Sequence, residues 1–324
     1  MLRDTIDKVA RGEDLEREEA RQAALAMLGG DVPDSVIGGL LVGLKAKGET
    51  EAEITGFAQG MREVKVGIAP RTATLVDTCG TGGDRSGTFN ISTAAAIIAA
   101  AAGVPVAKHG NRGVSSRCGS ADVLEALGVD IEMGPAAVRE CIETVGIGFM
   151  FAPAFHPAMK RVMGARRDLG VPTIFNILGP LTNPAGARAQ VLGVNRAELV
   201  PLLGRVLCAL GCERAFVLHG SDGLDEFSLS SDTVVCEVDR GVMSEYRLAP
   251  EDLGLARRDS ADLAGGDAEC NAAFAVVAGG RAESLSEGVA AAREAVETGE
   301  AAMMLDRLVS FDSKNGDRGG TDVP

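Results

Sequence analysis

The sequence predicts an α/β protein: a large domain with a mostly parallel sheet flanked by helices, plus a small all-helical domain. Three observations carry that prediction. From Asp4 to about Val66 apolar residues recur at three-and-four spacing, as in Ala24-Leu-Ala-Met-Leu28 and Val36-Ile-Gly-Gly-Leu-Leu-Val42, which is the period of a helix. From Leu75 onward, short apolar runs alternate with glycine-bearing loops and Ala-rich helical stretches, and that alternation implies parallel strands covered on both faces. A length of 324 residues suffices for a large domain with a smaller companion and an ample core.

Taken in order, residues 1–70 form the small helical domain, and Gly67 to Thr74, with Pro70, links it to an α/β domain over 71–311. Leu75-Val-Asp77 ends a buried strand. Ser92 and Thr93 open an Ala-rich helix, and Val104-Pro-Val-Ala107 is a second strand. The apolar run from Ala94 to Ala107 is too short to span a bilayer and contains Gly103 and Pro105, so it reads as helix turning into strand. Ser120 caps a helix through Leu127 that ends at Gly128, and Pro135 to Thr144 is another. From Phe149 to Pro184 the pattern is helical and loop-like. Ala215-Phe-Val-Leu218 is a further strand, ending in the acidic loop Asp222 to Glu226. A last helix, Leu285 to Thr298, precedes a polar tail over 312–324 that is predicted to be disordered.

Composition excludes several classes. The net charge of −14 opposes non-specific nucleic-acid binding, and with no Trp and only Tyr246, stacking platforms for single strands are not evident. Seven scattered cysteines without a C-x-x-C pair argue against a disulfide framework or a zinc site, and fit a reducing cytoplasm. Met1 to Lys8 is charged from the start, so no signal peptide is expected, and no membrane partner.

The chemistry is concentrated in Asp77-Thr-Cys-Gly-Thr-Gly-Gly-Asp84, Thr88-Phe-Asn-Ile-Ser-Thr93 and Lys108-His-Gly-Asn-Arg112. Gly80, Gly82 and Gly83 let the backbone turn through positive φ and approach a ligand closely. Ser92 and Thr93 add hydroxyls and free N–H groups at a helix start, and the second strand delivers Lys108 and Arg112 beside the loop. A Gly-rich turn alone is more often structural. An acidic residue, two hydroxyls, a lysine and an arginine converging after successive strands point instead to a polyanion such as a pyrophosphate. Neither nucleotide fingerprint fits, because the loop lacks a Gly-Lys-Ser/Thr ending and Arg85 stands where a third dinucleotide-motif glycine would fall. Asp225-Glu226, in a loop after a strand, has the hard oxygen ligands that suit Mg²⁺.

With Ser115-Ser-Arg-Cys-Gly-Ser-Ala-Asp122, Phe151-Ala-Pro-Ala-Phe-His156, Thr173-Ile-Phe-Asn-Ile-Leu-Gly-Pro-Leu-Thr-Asn-Pro184 and His219-Gly-Ser-Asp-Gly-Leu-Asp-Glu226, these motifs run in the order of one family. Over nearly its whole length the chain resembles the anthranilate phosphoribosyltransferases of tryptophan biosynthesis. The resemblance implies a two-domain fold of the nucleoside phosphorylase/phosphoribosyltransferase kind, in which part of about 149–184 returns to the N-terminal helices. A cleft between the domains would hold the active site and close by a hinge, and the chain would form a homodimer through its helical domains.

It also implies that phosphoribosyl pyrophosphate is bound by Gly80, Gly83, Asp84, Thr88, Asn90, Ile91, Ser92, Thr93, Lys108 and Ser120, with His109, Gly110 and the stretch Asn111, Arg112, Gly113, Val114, Ser115 and Ser116 lining the site. Anthranilate would be held by Gly80, Asn111 and Arg166. Two Mg²⁺ ions are implied, one on Ser92 and Glu226 and a second on Asp225 and Glu226. Taken alone, Arg166 reads as a surface ion pair beside Arg161 and Arg167, but an arginine fork also suits a benzoate carboxylate. His156 and His219 read equally as hydrogen-bonded structural residues. No general base is expected, since an aniline-type nitrogen is already nucleophilic.

Two departures from the family pattern stand out. Gly265-Gly-Asp267 leads almost directly into Asn271-Ala-Ala273 where a helix-length segment is usual, and Pro172 replaces a common Arg. Two other readings compete. A pyrimidine-nucleoside phosphorylase shares the fold but needs a nucleobase site and no metal pair, and a catalytically silent nucleic-acid-binding relative should be basic and without the metal carboxylates.

Overall fold

The computed structural model describes residues 2–72, 74–84, 88–113, 118–259 and 267–311. The chain opens with four helices, α1 (Leu2–Ala10), α2 (Arg17–Gly29), α3 (Asp34–Lys47) and α4 (Glu51–Val64). Thr50 caps α4 in a reciprocal box with Glu53. The same Glu53 carboxylate, fully buried, also accepts the Leu15 N–H at 2.9 Å and pairs with Lys47 at 2.9 Å. Glu53→Ala would leave the Leu15 and Thr50 N–H groups without their acceptor, while Lys47 would keep Asp14 at 2.7 Å. It is therefore expected to cost about 2 kcal/mol of folding stability. Thermal or urea unfolding checks it, and a change within experimental error would mean that the loop before α2 holds without this carboxylate.

The sheet follows: β1 (Val76–Asp77), α5 (Ile91–Ala101), β2 (Val106–Gly110), α6 (Ser120–Ala126), α7 (Pro135–Val145), β3 (Ile147–Phe151), α8 (Ala152–Phe155), α9 (Met163–Leu169), α10 (Phe175–Leu178), β4 (Ala189–Gly193), α11 (Leu199–Ala209), β5 (Arg214–Gly220), β6 (Thr233–Asp239), β7 (Val242–Leu248), α12 (Asp267–Ala278), α13 (Leu285–Glu297) and α14 (Glu300–Val309). Seven strands run in the order β3-β2-β1-β4-β5-β6-β7. The first five are parallel, while β6 and β7 add an antiparallel edge.

Strand periodicity sorts the core into two layers. On β5, Phe216 and Leu218 face a layer that includes residues of α5, α12, α13 and α14, whereas Ala215 and Val217 face α11. That second apolar layer continues without a break into the helical bundle, where Val162, Ala165, Ile174 and Phe175 from α9 and its flanks pack with Leu40, Leu41 and Phe57. Phe57 meets Phe175 edge to face at 6.3 Å. Residues of the 149–184 stretch pack on the N-terminal helices.

Several local expectations are corrected. Ile147–Phe151 is a strand, not helix or loop, because its alternate residues are needed on both faces beside β2. The strands β4, β6 and β7 add to those predicted, and α14 follows α13 as the last described helix. Ser120 is the first residue of α6 and does not cap it; the cap is Gly119, whose N–H the Asp122 carboxylate accepts at 2.8 Å. The tail over 312–324 lies outside the described residues, as does the stretch just before Asp267.

Candidate active site

The order of strand addition reverses at β1, which has β2 on one side and β4 on the other, and ligands of open α/β sheets sit beyond such a switch point at the strands' carboxyl ends. The glycine-rich loop leaves β1 there. Gly82 and Gly83 have φ of +66° and +89°, conformations that L side chains rarely adopt. Gly80 does not turn through positive φ; it is glycine because a Cβ would press on the Gly193 carbonyl at the end of β4. Thr81 N–H donates to that carbonyl at 2.9 Å, and Asn195 Nδ2 donates to Gly82 O at 3.0 Å. Gly193 is in turn wedged under the backbone of Asp225, whose carbonyl oxygen any Cβ would strike. Three strand ends therefore bring the loop and the acidic pair together.

Lys108 is buried on β2 and donates to Thr78 Oγ1 at 3.1 Å and to Ser92 Oγ at 3.4 Å. Thr78 Oγ1 donates onward to the Ser92 carbonyl at 2.9 Å. Ser92 and Thr93 lie in the first turn of α5, where Asn90 is the cap residue and Ile91 the first helical one. The Thr93 hydroxyl is buried without a hydrogen-bond partner among the described residues. Two hydroxyls and a lysine thus share one corner at the start of α5, which suits phosphate oxygens.

Asp84 and Asp225 face each other across the loop. Burial first, then the Asp84 charge and a hydrogen bond between the two carboxyls, push Asp225 up to about 7. Two carboxyls forced together, with the buried Glu226 next in the chain, supply hard oxygen donors of the kind Mg²⁺ prefers, though the three side chains do not all bring an oxygen within 4.8 Å of one another.

Behind the loop, Asp77 is a structural hub. Its carboxylate accepts from Cys79 N at 3.1 Å, His109 N at 3.2 Å and Asn183 Nδ2 at 2.7 Å, while burial, opposed by Lys108, pushes it up to about 6. Asp77, Cys79 and His109 are close enough to resemble a metal cluster. Asp77 is taken up by its three donors, His109 Nδ1 meets Gly179 O at 3.2 Å, and burial lifts the Cys79 thiol to about 12.

Not every residue of the Lys108 to Arg112 motif turns to the loop. Arg112 pairs with Asp122 at 3.0 Å and Glu125 at 2.6 Å on α6 and lies over Phe151. Asn111 and Ser120 are joined by a 3.3 Å bond from Ser120 Oγ to Asn111 O, and Gly113 N–H donates to Asp122. Gly110 ends β2, and Thr88 precedes α5. Val114, Ser115 and Ser116 lie outside the described residues.

On the helical side, Arg166 of α9 rests on the Phe175 ring at 5.4 Å, with Met163 Sδ 3.8 Å from Nη1. No carboxylate pairs with it among the described residues, so the surface ion-pair reading does not hold, and burial alone lowers its pKa. His219 Nδ1 is bonded to Val194 O at 2.8 Å, the structural arrangement. His109 and His156 meet at a tilt of 53° with ring centroids 5.1 Å apart, and both Nε2 atoms are buried without a partner among the described residues. Thr78, Asn183 and Asn195 were not singled out from sequence as site residues. Their places in Asp77-Thr-Cys-Gly, Thr-Asn-Pro184 and the end of β4 are the only local signal.

Residues 72–275 match a family described as the glycosyl transferase family, a/b domain, and residues 3–64 match its helical bundle domain. An anthranilate phosphoribosyltransferase of Haloarcula marismortui is 50% identical over 331 residues, covering 95% of this chain and 99% of the relative. The chain belongs to the anthranilate phosphoribosyltransferases. A crystal structure of the anthranilate phosphoribosyltransferase of Thermus thermophilus superposes with a TM-score of 0.89 at 44% identity, covering 95% of this chain and 99% of that one. The Saccharomyces cerevisiae anthranilate phosphoribosyltransferase, solved in complex with PRPP and Mg, shares the fold with a TM-score of 0.85 at 24% identity, over 97% and 98% of the two chains.

The two adjacent histidines carry a pH prediction. Burial, then His156, pushes His109 down to about 3, and burial, then Lys65, pushes His156 down to about 4. Unfolded, both would titrate near 6.5, so the unfolded chain takes up more protons and stability is lost as pH falls from about 6.5 toward 4. Asp77, raised in the folded state, opposes this below about 6. His156→Phe is therefore expected to flatten the fall of Tm relative to the parent over that window, read by circular dichroism. Parallel curves for the two proteins would place the acid sensitivity elsewhere.

Proposed function

We infer that the chain transfers the phosphoribosyl group of 5-phosphoribosyl 1-pyrophosphate to the amine of anthranilate, giving N-(5-phosphoribosyl)anthranilate and pyrophosphate in tryptophan biosynthesis. The observation that carries this reading is a division of labour across the site. The sheet rim gathers groups for a pyrophosphate and a cation, while the helical bundle supplies an arginine fork with no carboxylate partner among the described residues, seated on an aromatic ring.

On this reading Gly80, Gly83, Asp84, Thr88, Asn90 to Thr93, Lys108 and Ser120 bind the sugar pyrophosphate. Lys108, fixed by Thr78 and Ser92, offers its charge to the departing oxygens. Arg166 and Asn111 take the carboxylate of anthranilate, so that its amine lies in line with C1 of the ribose and attack inverts that carbon. No residue need remove a proton before attack. Ser92, Asp225 and Glu226 would hold two Mg²⁺ ions. When bound, the metal supplies charge neutralisation on the pyrophosphate as the C1 to oxygen bond breaks.

We also propose a homodimer formed through the helical domains and a cytoplasmic setting. Val42 on α3 is an apolar side chain 43% exposed on that domain, and all seven cysteines are free thiols. No helix among the described residues is long and apolar enough to cross a membrane. The test is loss of anthranilate fluorescence on mixing the protein with anthranilate, phosphoribosyl pyrophosphate and Mg²⁺. No turnover with that set, but phosphorolysis of thymidine or uridine, would overturn the reading in favour of a nucleoside phosphorylase.

A further inference from the structure

We propose that α12 is the ruler that sets the distance between the two halves of the metal site, and that Asn271 is its positioning residue; this rests on the assignment of Ser92, Asp225 and Glu226 to Mg²⁺.

The argument begins with Phe227, the neighbour of Glu226. Asn271, 1% exposed on α12, brackets the backbone of Phe227: its Oδ1 accepts the Phe227 N–H at 3.2 Å and its Nδ2 donates to the Phe227 carbonyl at 3.5 Å. One turn along the same helix, Phe274 packs on the Phe227 ring with centroids 5.6 Å apart. Residue 227 is thus held by main chain and side chain from a single helix. A fixed Phe227 leaves the adjacent Glu226 few ways to point.

The same helix also grips the other half of the site. Ala268 and Ala272 of α12 pack against Ala95 and Ile98 of α5, the helix whose first turn carries Ser92 and Thr93. Small residues at this contact let the helices approach closely and leave no flexible side chain to absorb a shift. One face of α12 therefore sets α5, and another sets the acidic loop. The loop's far end is secured independently, because Asp222 accepts from Ser228 Oγ at 2.6 Å and from Ser230 Oγ, and from Leu224 N at 3.2 Å. Asn271 and Phe274 tie the loop to the helix that packs on α5, and of the two Asn271 holds the main chain next to Glu226.

Residues that orient metal ligands from behind commonly change metal affinity by about ten- to a hundredfold when removed. The experiment is a calorimetric titration of the full chain with phosphoribosyl pyrophosphate, without anthranilate, once in Mg²⁺ and once in EDTA. The ratio of the two dissociation constants measures how far metal and sugar pyrophosphate support each other, with no turnover involved. Asn271→Ala is expected to lower that ratio about tenfold while leaving the affinity in EDTA nearly unchanged. Val276→Ala, a buried α12 residue outside the clamp, controls for general loosening of the helix and should keep the ratio.

Glu226→Gln separates the two levels of the claim. If Glu226→Gln loses the ratio and Asn271→Ala keeps it, the positioning role is wrong and the metal assignment stands. If Glu226→Gln keeps it, the metal assignment itself falls, and the role of α12 with it. An equal loss in Asn271→Ala and Val276→Ala would reduce Asn271 to ordinary core packing and overturn the inference.

Discussion

Asp225→Asn combined with Glu226→Gln is expected to leave a folded protein whose turnover at saturating substrates falls by about a hundred- to a thousandfold, the usual worth of positioned electrostatic groups. The swaps keep shape and hydrogen-bonding size but remove two negative donors from a loop whose partner is already anionic. In the structure Asp225 is pressed against Asp84 and pushed up to about 7, an arrangement that a cation relieves. Without the carboxylates Mg²⁺ still arrives on the pyrophosphate, yet nothing holds it where charge develops. The measurement is turnover across a Mg²⁺ titration, with circular dichroism as the folding control. A double variant that matches the parent at saturation sinks the metal-carboxylate assignment.

Arg166→Ala should act on one substrate only. Its guanidinium is partly buried, rests on Phe175 and has no carboxylate partner among the described residues, so a benzoate would meet a fork already oriented. Losing a charge-assisted pair costs about 1.5 to 3 kcal/mol, and affinity for anthranilate should drop about tenfold to a hundredfold. Affinity for the sugar pyrophosphate should barely move. Equal losses for both would show that Arg166 supports the packing of α9 and α10 and does not read the carboxylate.

What could be read from the chain before folding was whatever is local. The glycine loop, Lys108 and the acidic pair are contiguous motifs whose chemistry is written in neighbouring residues. The strand β3 escaped because Ile147–Phe151 carries apolar residues on both faces, which leaves no alternation to detect. The hairpin β6–β7 turns through Arg240-Gly241 instead of the Asn-Gly that usually announces such a turn.

Contacts made at long range escaped for a different reason. Asn183 reaches Asp77 across 106 positions and Asn195 reaches Gly82 across 113, so no spacing rule connects them. Arg112 is the instructive case, since it shares a motif with Lys108 yet is drawn away by Asp122 and Glu125. Those two carboxylates become neighbours only once α6 forms.

The wedge of Gly80, Gly193 and the Asp225 backbone bears on how such an enzyme can diverge. The donor half of the site is shaped by main chain against main chain, so even one added methyl there has nowhere to go, and drift is filtered out before it can alter the sugar phosphate that is recognised. On the proposed reading the acceptor half is shaped by exchangeable side chains, Arg166 on Phe175. Laboratory selection for new amine acceptors should therefore accumulate its changes on α9 and α10, while the donor stays fixed through every lineage.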